Sequence, residues 1–210
     1  MSISVLIVDD HEVVRLGLQT QLAEPDIEVV GQAQDAKAAV ALATQVRPQI
    51  VLLDVRMPDT DGLDLLEELR TIVPDSRVII LSAYDNPTYV ARAITLGASD
   101  YVLKGSGKAE LLASIRAVAS GDRARQSALV RRIEAVLKST SEAPVSGAAL
   151  TTRESQVLRH LALGLSNKDI GRSLSISIET VKEHVQNVLR KMGVIDRTQA
   201  AVEAVRQGVV

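Results

Sequence analysis

Short apolar runs alternate with longer helix-forming segments over the first 120 or so residues of this chain, and that alternation constrains its fold most. The runs are 3–8, 27–30, 50–53, 78–81 and 101–103, all rich in Val, Ile and Leu. A run that is apolar at every position fits a strand covered on both faces. The segments between them carry helical spacing. Val13, Leu16, Leu18 and Leu22 make the apolar stripe of the first, Ala38, Ala39, Leu42 and Val46 of the second, and Leu63, Leu65, Leu66 and Leu69 of the third. The fourth runs over 90–96 and the fifth over 111–119. Pro48, Pro74, Gly97 and Gly121 stand where helices of this kind stop. Five βα repeats predict a parallel sheet with helices on both faces, an α/β doubly wound domain.

The chain is 210 residues long, enough for two small domains. Residues 1–121 hold 10 Lys and Arg against 17 Asp and Glu, and residues 122–210 hold 14 against 9. The formal charge of −2 therefore conceals an acidic part and a basic part. We read 1–121 as the α/β domain, 122–146 as a linker with a short helix, and 147–210 as a small all-α domain. In the linker, Leu129, Ile133, Val136 and Leu137 share one side of a helix over 123–138, and the composition of 139–149 is that of a flexible connector. With no Cys, a disulfide scaffold, a thiolate metal site and a Cys nucleophile are excluded. No apolar run approaches the ~20 residues of a membrane span, and the first residues lack the basic region of a signal peptide. The expected location is cytoplasmic.

The polar residues that close the apolar runs point to chemistry. The first run ends in Asp9 and Asp10, the third in Asp54 and the fourth in Ser82, and Lys104 follows the fifth. In an open parallel sheet the functional crevice lies at the carboxyl ends of the strands, so these five converge. Carboxylates that close together repel, and a hard cation such as Mg²⁺, or Mn²⁺ in its place, relieves the repulsion. Lys104 and Ser82 then suit the oxygens of a phosphoryl group, with Asp54 as the nucleophile that takes it. His11 reads as a helix-start residue, because carboxylates already suit a hard cation.

The segments VLIVDDHEVVRLGL, IVLLDVRMPDTDGLDLLEELR, VIILSAYD and GASDYVLKGS resemble the receiver domain of two-component response regulators over residues 3 to about 121. The resemblance implies strand order 2-1-3-4-5 and phosphoryl transfer from a sensor histidine kinase to Asp54. It implies a metal held by Asp10, Asp54 and the backbone carbonyl of Arg56, with Asp9 acting partly through water. It also implies that Lys104 partners the phosphate and that Ser82 and Tyr101 form a switch, Tyr101 swinging inward as Ser82 closes on the phosphate. Arg56 and Tyr84 occupy positions that in the family tune phosphate lifetime. Gly105 departs from the family, where Pro with a cis bond usually follows the Lys, so the loop after the fifth strand is freer.

After residue 149 the apolar period is helical throughout. Thr151–Glu154 is a capping box that opens a helix broken at Gly164. Ser166 opens a second helix, Ser177 a third that stops at Gly193, and 198–206 forms a fourth. A short helix, a tight turn and a longer helix make a helix-turn-helix pattern. On the third helix, Val181, Val185, Val188, Leu189 and Met192 face the core. The opposite side carries Glu183, Gln186, Asn187 and Arg190, with Lys182 on one flank and Thr180, His184 and Lys191 on the other, a face fit for a major groove.

The pieces LTTRE, GLSNKDI, TVKEHVQN, KMG and RTQAA resemble a LuxR-type DNA-binding domain, and the two halves together resemble the NarL/FixJ-type response regulators. The resemblance implies that Lys182, Glu183 and Gln186 face bases and that Thr180, His184 and Lys168 sit near the DNA backbone. Glu183 would accept from a cytosine or hold Lys182 in place. The last helix, through Ala201, Val202 and Val205, would pair a homodimer on a pseudo-palindromic double-stranded site. The implied function is a phosphorylation-controlled transcription regulator, not a turnover enzyme. Two alternatives are a regulator that binds DNA irrespective of phosphate and an Asp-nucleophile phosphatase. The phosphatase would want a second Asp where Arg56 stands.

Overall fold

The structure is a computed structural model that describes residues 2–58, 60–122, 126–139 and 149–210. The chain divides into two compact units, Met1–Asp85 with Leu96–Val130, and Asn86–Thr95 with Arg131–Val210.

The first unit is built on five parallel strands, β1 (Ile3–Val8), β2 (Ile27–Ala33), β3 (Ile50–Asp54), β6 (Arg77–Ser82) and β7 (Asp100–Leu103), in the order β2-β1-β3-β6-β7. That is the 2-1-3-4-5 order, with one addition that the periodicity does not announce. Arg56–Met57 (β4) and Thr60–Asp61 (β5) pair antiparallel beyond the end of β3. The helices of this unit are α1 (Glu12–Gln21), α2 (Ala36–Val46), α3 (Gly62–Ile72) and α5 (Lys108–Ser120); α4 (Pro87–Leu96), between β6 and β7 in the chain, falls almost wholly in the second unit.

Strand residues alternate between two faces. Val5, Ile7, Ile50, Leu52, Ile79, Leu81 and Val102 pack with Leu18 and Leu22 near α1 and with Leu111, Leu112, Ile115 and Val118 of α5. Leu6, Val8, Val51, Leu53 and Ile80 are buried on the other face, where Leu6 and Leu42 of α2 approach Gly31. Burial on both sides is why the central strands β3 and β6 carry no polar alternation, while edge strand β2 keeps Glu28 and Gln32. Helix stops fall as expected, with Gly97 and Gly121 at φ 96° and 79°. Arg47, a non-glycine at φ 42°, closes α2 before Pro48.

The stripe expected on α1 is corrected. Val13 and Leu16 are 82 % and 52 % exposed, and the helix packs through Val14, Leu18 and Leu22. At about 100° per residue, Val13 and Leu16 lie nearly opposite Leu18 and Leu22, so one stripe could not hold all four. The i, i+4, i+8 set that includes Val14 is the one that reaches the sheet.

The second unit carries α7 (Thr152–Ala162), α8 (Asn167–Leu174), α9 (Ile178–Met192) and α10 (Arg197–Arg206). Their starts follow from hydrogen bonding. Thr151 and Ser166 each accept from the third backbone N–H of the helix they open, Glu154 and Asp169 reach back, and Ser177 and Asp196 cap α9 and α10. Leu158, Val188, Ala200, Ala204 and Val209 form the core of α7, α9 and α10. The turn from α8 to α9 runs so close to Gly171 that a Cβ there would stand 2.8 Å from the carbonyl oxygen of Ile176. The helix expected over 123–138 appears as α6 (Ala128–Lys138), with Val130, Ile133 and Leu137 buried and Leu129 and Val136 half-buried. Its first three expected residues, and residues 140–148 of the expected connector, lie outside the described residues.

Candidate functional site

The strand order reverses between β1 and β3, and both strands deliver acids to that point. Val8 pairs with Leu53 across the ladder, so Asp9 and Asp54 leave the sheet side by side. Candidate ligand atoms of Asp9, Asp10, His11 and Asp54 all lie within 4.8 Å of one another. Lys104 reaches in from beyond β7, its ammonium 2.6 Å from Asp9 Oδ2 and 2.8 Å from Asp54 Oδ2. The predicted convergence of Asp9, Asp10, Asp54 and Lys104 is therefore present. Ser82 ends β6, next to β3, and Lys104 N–H donates to its carbonyl at 2.7 Å.

Burial and charge oppose each other here. Burial pushes the Asp54 carboxyl above the usual Asp range, against the pull of the Lys104 ammonium and the Arg56 N–H. Burial works against charge on Lys104 as well, but the hydrogen bonds it donates to Asp54 and Asp9 hold its pKa above the ordinary value. One lysine thus balances two buried carboxylates.

The supporting residues come from several elements. Asp54 Oδ1 accepts from Arg56 N at 3.2 Å. Asp9 Oδ1 accepts from His11 N at 2.9 Å, and the Arg15 guanidinium donates to the Asp9 carbonyl at 2.7 Å. The His11 ring lies 2.8 Å from Asp10 Oδ1, at the start of α1. Ser82 Oγ accepts from Tyr84 N at 3.1 Å. Tyr101 is already turned inward, only 1 % exposed, and its hydroxyl donates to the Tyr84 carbonyl at 2.8 Å. The Arg56 guanidinium lies over the Tyr84 ring, 5.1 Å from its centre. The described backbone has no cis peptide, and the 104–106 loop is held by Lys104 N to Ser82 O and Ser106 N to Leu103 O.

Gly62 joins the site although its residue type carries no chemistry. It begins α3, and a Cβ there would stand 2.1 Å from the Asp54 carbonyl oxygen and 2.8 Å from Val55 Cα. Only glycine lets α3 start so close to the end of β3. The signal was present in the sequence as an Asp-Gly pair a few residues past Asp54.

In the helix-turn-helix, α9 presents Lys182, Glu183, Gln186 and Arg190 to solvent, with Thr180, His184 and Asn187 half-buried and Lys168 exposed on α8. Lys182 pairs with Glu179 at 2.8 Å, so Glu179 and not Glu183 takes its ammonium. Arg190 donates to Asn187 Oδ1 at 2.9 Å. Lys191 is engaged elsewhere, its ammonium 2.6 Å from the buried carboxylate of Glu154. The same Glu154 oxygen accepts from Thr151 N and Oγ1 at 2.8 and 2.9 Å. Burial alone would raise the Glu154 pKa; the bonds from Lys191 and Thr151 bring it below the usual Glu value. On α10, Ala200 and Ala204 face the core, Ala201 is half-buried, and Val202 and Val205 are exposed.

A doubly wound sheet with acids and a lysine at its switch point, followed by a helix-turn-helix, defines a signal receiver joined to a DNA-binding output. Residues 5–116 match the response regulator receiver domain, and residues 148–204 match the bacterial regulatory proteins of the luxR family. The chain is 39 % identical over 209 residues, 99 % of each chain, to the transcriptional regulatory protein LiaR of Bacillus subtilis strain 168. It is 34 % identical over the whole of both chains to the response regulator VraR of Staphylococcus aureus strain NCTC 8325. The crystal structure of the response regulator ChrA of a heme-sensing two-component system, 33 % identical, aligns over 100 % of this chain and 99 % of ChrA with a TM-score of 0.53. The chain belongs to the two-component response regulators that join a receiver to a LuxR-type helix-turn-helix, and it is a transcription regulator of that class. Among the described residues no helix is long and apolar enough to cross a membrane.

Proposed function

We propose that this regulator is switched by a phosphoryl group carried on Asp54. The observation that carries the reading is the Asp54 carboxylate bound to Lys104 in a crevice shared with Asp9 and Asp10. A carboxylate oxygen of Asp54 attacks the phosphorus of a phosphohistidine on a sensor kinase. An O–P bond forms, the P–N bond breaks, and the imidazole leaves with the bonding pair. Lys104 shifts from the carboxylates to a phosphoryl oxygen, and Ser82 takes another.

The hard oxygen donors around Asp10 and Asp54 fit Mg²⁺ or Mn²⁺, with the Arg56 carbonyl as a third ligand and Asp9 acting through water. When bound, the cation neutralises the charge gathered on the phosphoryl oxygens. Tyr101, already buried, locks inward as Ser82 closes. We assign the domains to 1–121, 122–146 and 147–210.

The output is binding of double-stranded DNA through α9. Lys182, Glu183 and Gln186 read bases, and Thr180, His184 and Lys168 approach the backbone. Asn187 and Arg190 extend the same polar face. The protein acts in the cytoplasm, pairs through α10 on a pseudo-palindromic site, and does not turn over external substrates.

Acetyl phosphate with Mg²⁺ is expected to label the wild type once per chain and to raise its DNA affinity, while Asp54→Asn takes no label and stays at the basal affinity. Equal labelling of the mutant would remove Asp54 from its role.

A further inference from the structure

A buried carboxylate outside the phosphoacceptor crevice has an assignable task. Asp100 opens β7, one residue before Tyr101, and is 1 % exposed. Its partners among the described residues are all uncharged donors. Oδ2 accepts from Ser114 Oγ of α5 at 2.6 Å. Oδ1 accepts from the Tyr101 backbone N–H at 2.8 Å. Both oxygens accept from Ser127 N–H, at 3.0 and 3.2 Å. Ser127 in turn accepts from Val130 N at 3.3 Å and so caps α6. Beside it, Gln126 Nε2 donates to the Ser99 carbonyl at 2.7 Å. The start of β7 thus grips the two residues that precede α6.

The placement joins two groups that the function needs to couple. Tyr101 points its hydroxyl at the Tyr84 carbonyl, two residues past Ser82, and its own N–H is held by Asp100. The switch tyrosine and the anchor of α6 are adjacent on one short strand. A carboxylate kept out of water needs its oxygens filled by fixed donors, so the arrangement tolerates little play. A change in β7 must move Ser127 with it or break these bonds.

We propose that Asp100 is a positioning residue that ties the entrance of α6 to β7 and so passes the state of Tyr101 to the chain leading into the DNA-binding domain. This rests on the reading of Asp54 as phosphoacceptor. The test uses the full chain with Asp100→Ala, Ser127→Pro and Ser127→Ala. Ser127→Pro removes the N–H that Asp100 holds and also the cap; Ser127→Ala removes the cap alone and keeps that N–H.

Three readouts are taken: the rate of Asp54 labelling by acetyl phosphate, amide exchange over α6, and the ratio of DNA Kd without and with phosphodonor. Asp100→Ala and Ser127→Pro are expected to label at the wild-type rate. Their α6 amides should exchange at least ten-fold faster, and the Kd ratio should fall towards one. Ser127→Ala should keep the wild-type ratio. A wild-type ratio in Asp100→Ala or Ser127→Pro, or unchanged α6 exchange in both, overturns the proposal. Should Asp100→Ala fail to fold, shown by lost labelling, Ser127→Pro decides alone. Absence of labelling in the wild type would defeat the phosphoacceptor reading, whereas the exchange measurement would still report whether Asp100 holds α6.

Discussion

Gly62 shows how one missing side chain can decide a site. Asp54, the proposed nucleophile, is placed by β3, but α3 begins against the Asp54 carbonyl, and a methyl group at residue 62 would overlap it. Overpacking of this kind costs about 1–3 kcal/mol. Gly62→Ala is expected to cost at least that, read from urea unfolding, and to slow labelling of Asp54 as β3 and α3 part. His160 makes the opposite point, because a residue that looks functional by type is spent on structure. It is buried in α7; its Nδ1 lies 2.7 Å from the Gln156 carbonyl, which can only accept, and its Nε2 lies 2.8 Å from Ser173 Oγ. Nδ1 therefore carries a proton, and in the neutral ring Nε2 accepts from the Ser173 hydroxyl. Burial pushes its pKa down, helped by the charges of Arg153 and Arg159. The unfolded chain then binds the proton more readily than the folded one. Stability from this group is complete above the unfolded value of about 6.5 and falls as pH drops from there towards the lowered folded value, by at most about 1.4 kcal/mol per pH unit. Thermal melts between pH 7.5 and 5.5 should show this loss, and His160→Gln should flatten it.

At the scale of elements, the helix ends were the most legible part of the chain, because a cap is a local hydrogen bond between near neighbours. Thr151, Ser166 and Ser177 all cap the helices that their side chains announce. The face of α1 was not legible, since its apolar residues occupy two sides and only the sheet chooses between them. The polar face of α9 was legible as a face but not as a set of free side chains. Lys191 lies on the flank of the polar face, yet it bridges to Glu154 at the start of α7 and ties the last turn of α9 to that helix. If this bridge positions α9, Lys191→Met and Glu154→Gln should weaken DNA binding to a similar degree. Their combination should cost little more than either alone, and the dependence of log Kd on log salt should be unchanged. A slope reduced by about 0.9 in Lys191→Met would mean a phosphate contact instead.

For the whole molecule, the exposed apolar residues show what each unit leaves unburied. Val202 and Val205 lie one turn apart on α10, 55 % and 53 % exposed, while Ala200 and Ala204 of the same helix are fully buried. Ile195, just before α10, is also exposed. An unsatisfied apolar face of this kind suits pairing of two copies on DNA. Val202→Asp with Val205→Asp is expected to abolish cooperative binding to a two-half-site DNA while leaving binding to a single half-site, as titrations with the two duplexes would show. The βα alternation, the helix stops and caps, the acids at strand ends and the helix-turn-helix are all legible along the chain, because each depends on backbone preferences or on contacts between near neighbours. Only the packing of the folded chain places Lys104 between Asp9 and Asp54, gives Lys191 to Glu154 and Asp100 to Ser127, and leaves residue 62 no room for a side chain. Each of these joins groups brought together by separate elements, and such a distance is set by packing, not by spacing along the chain.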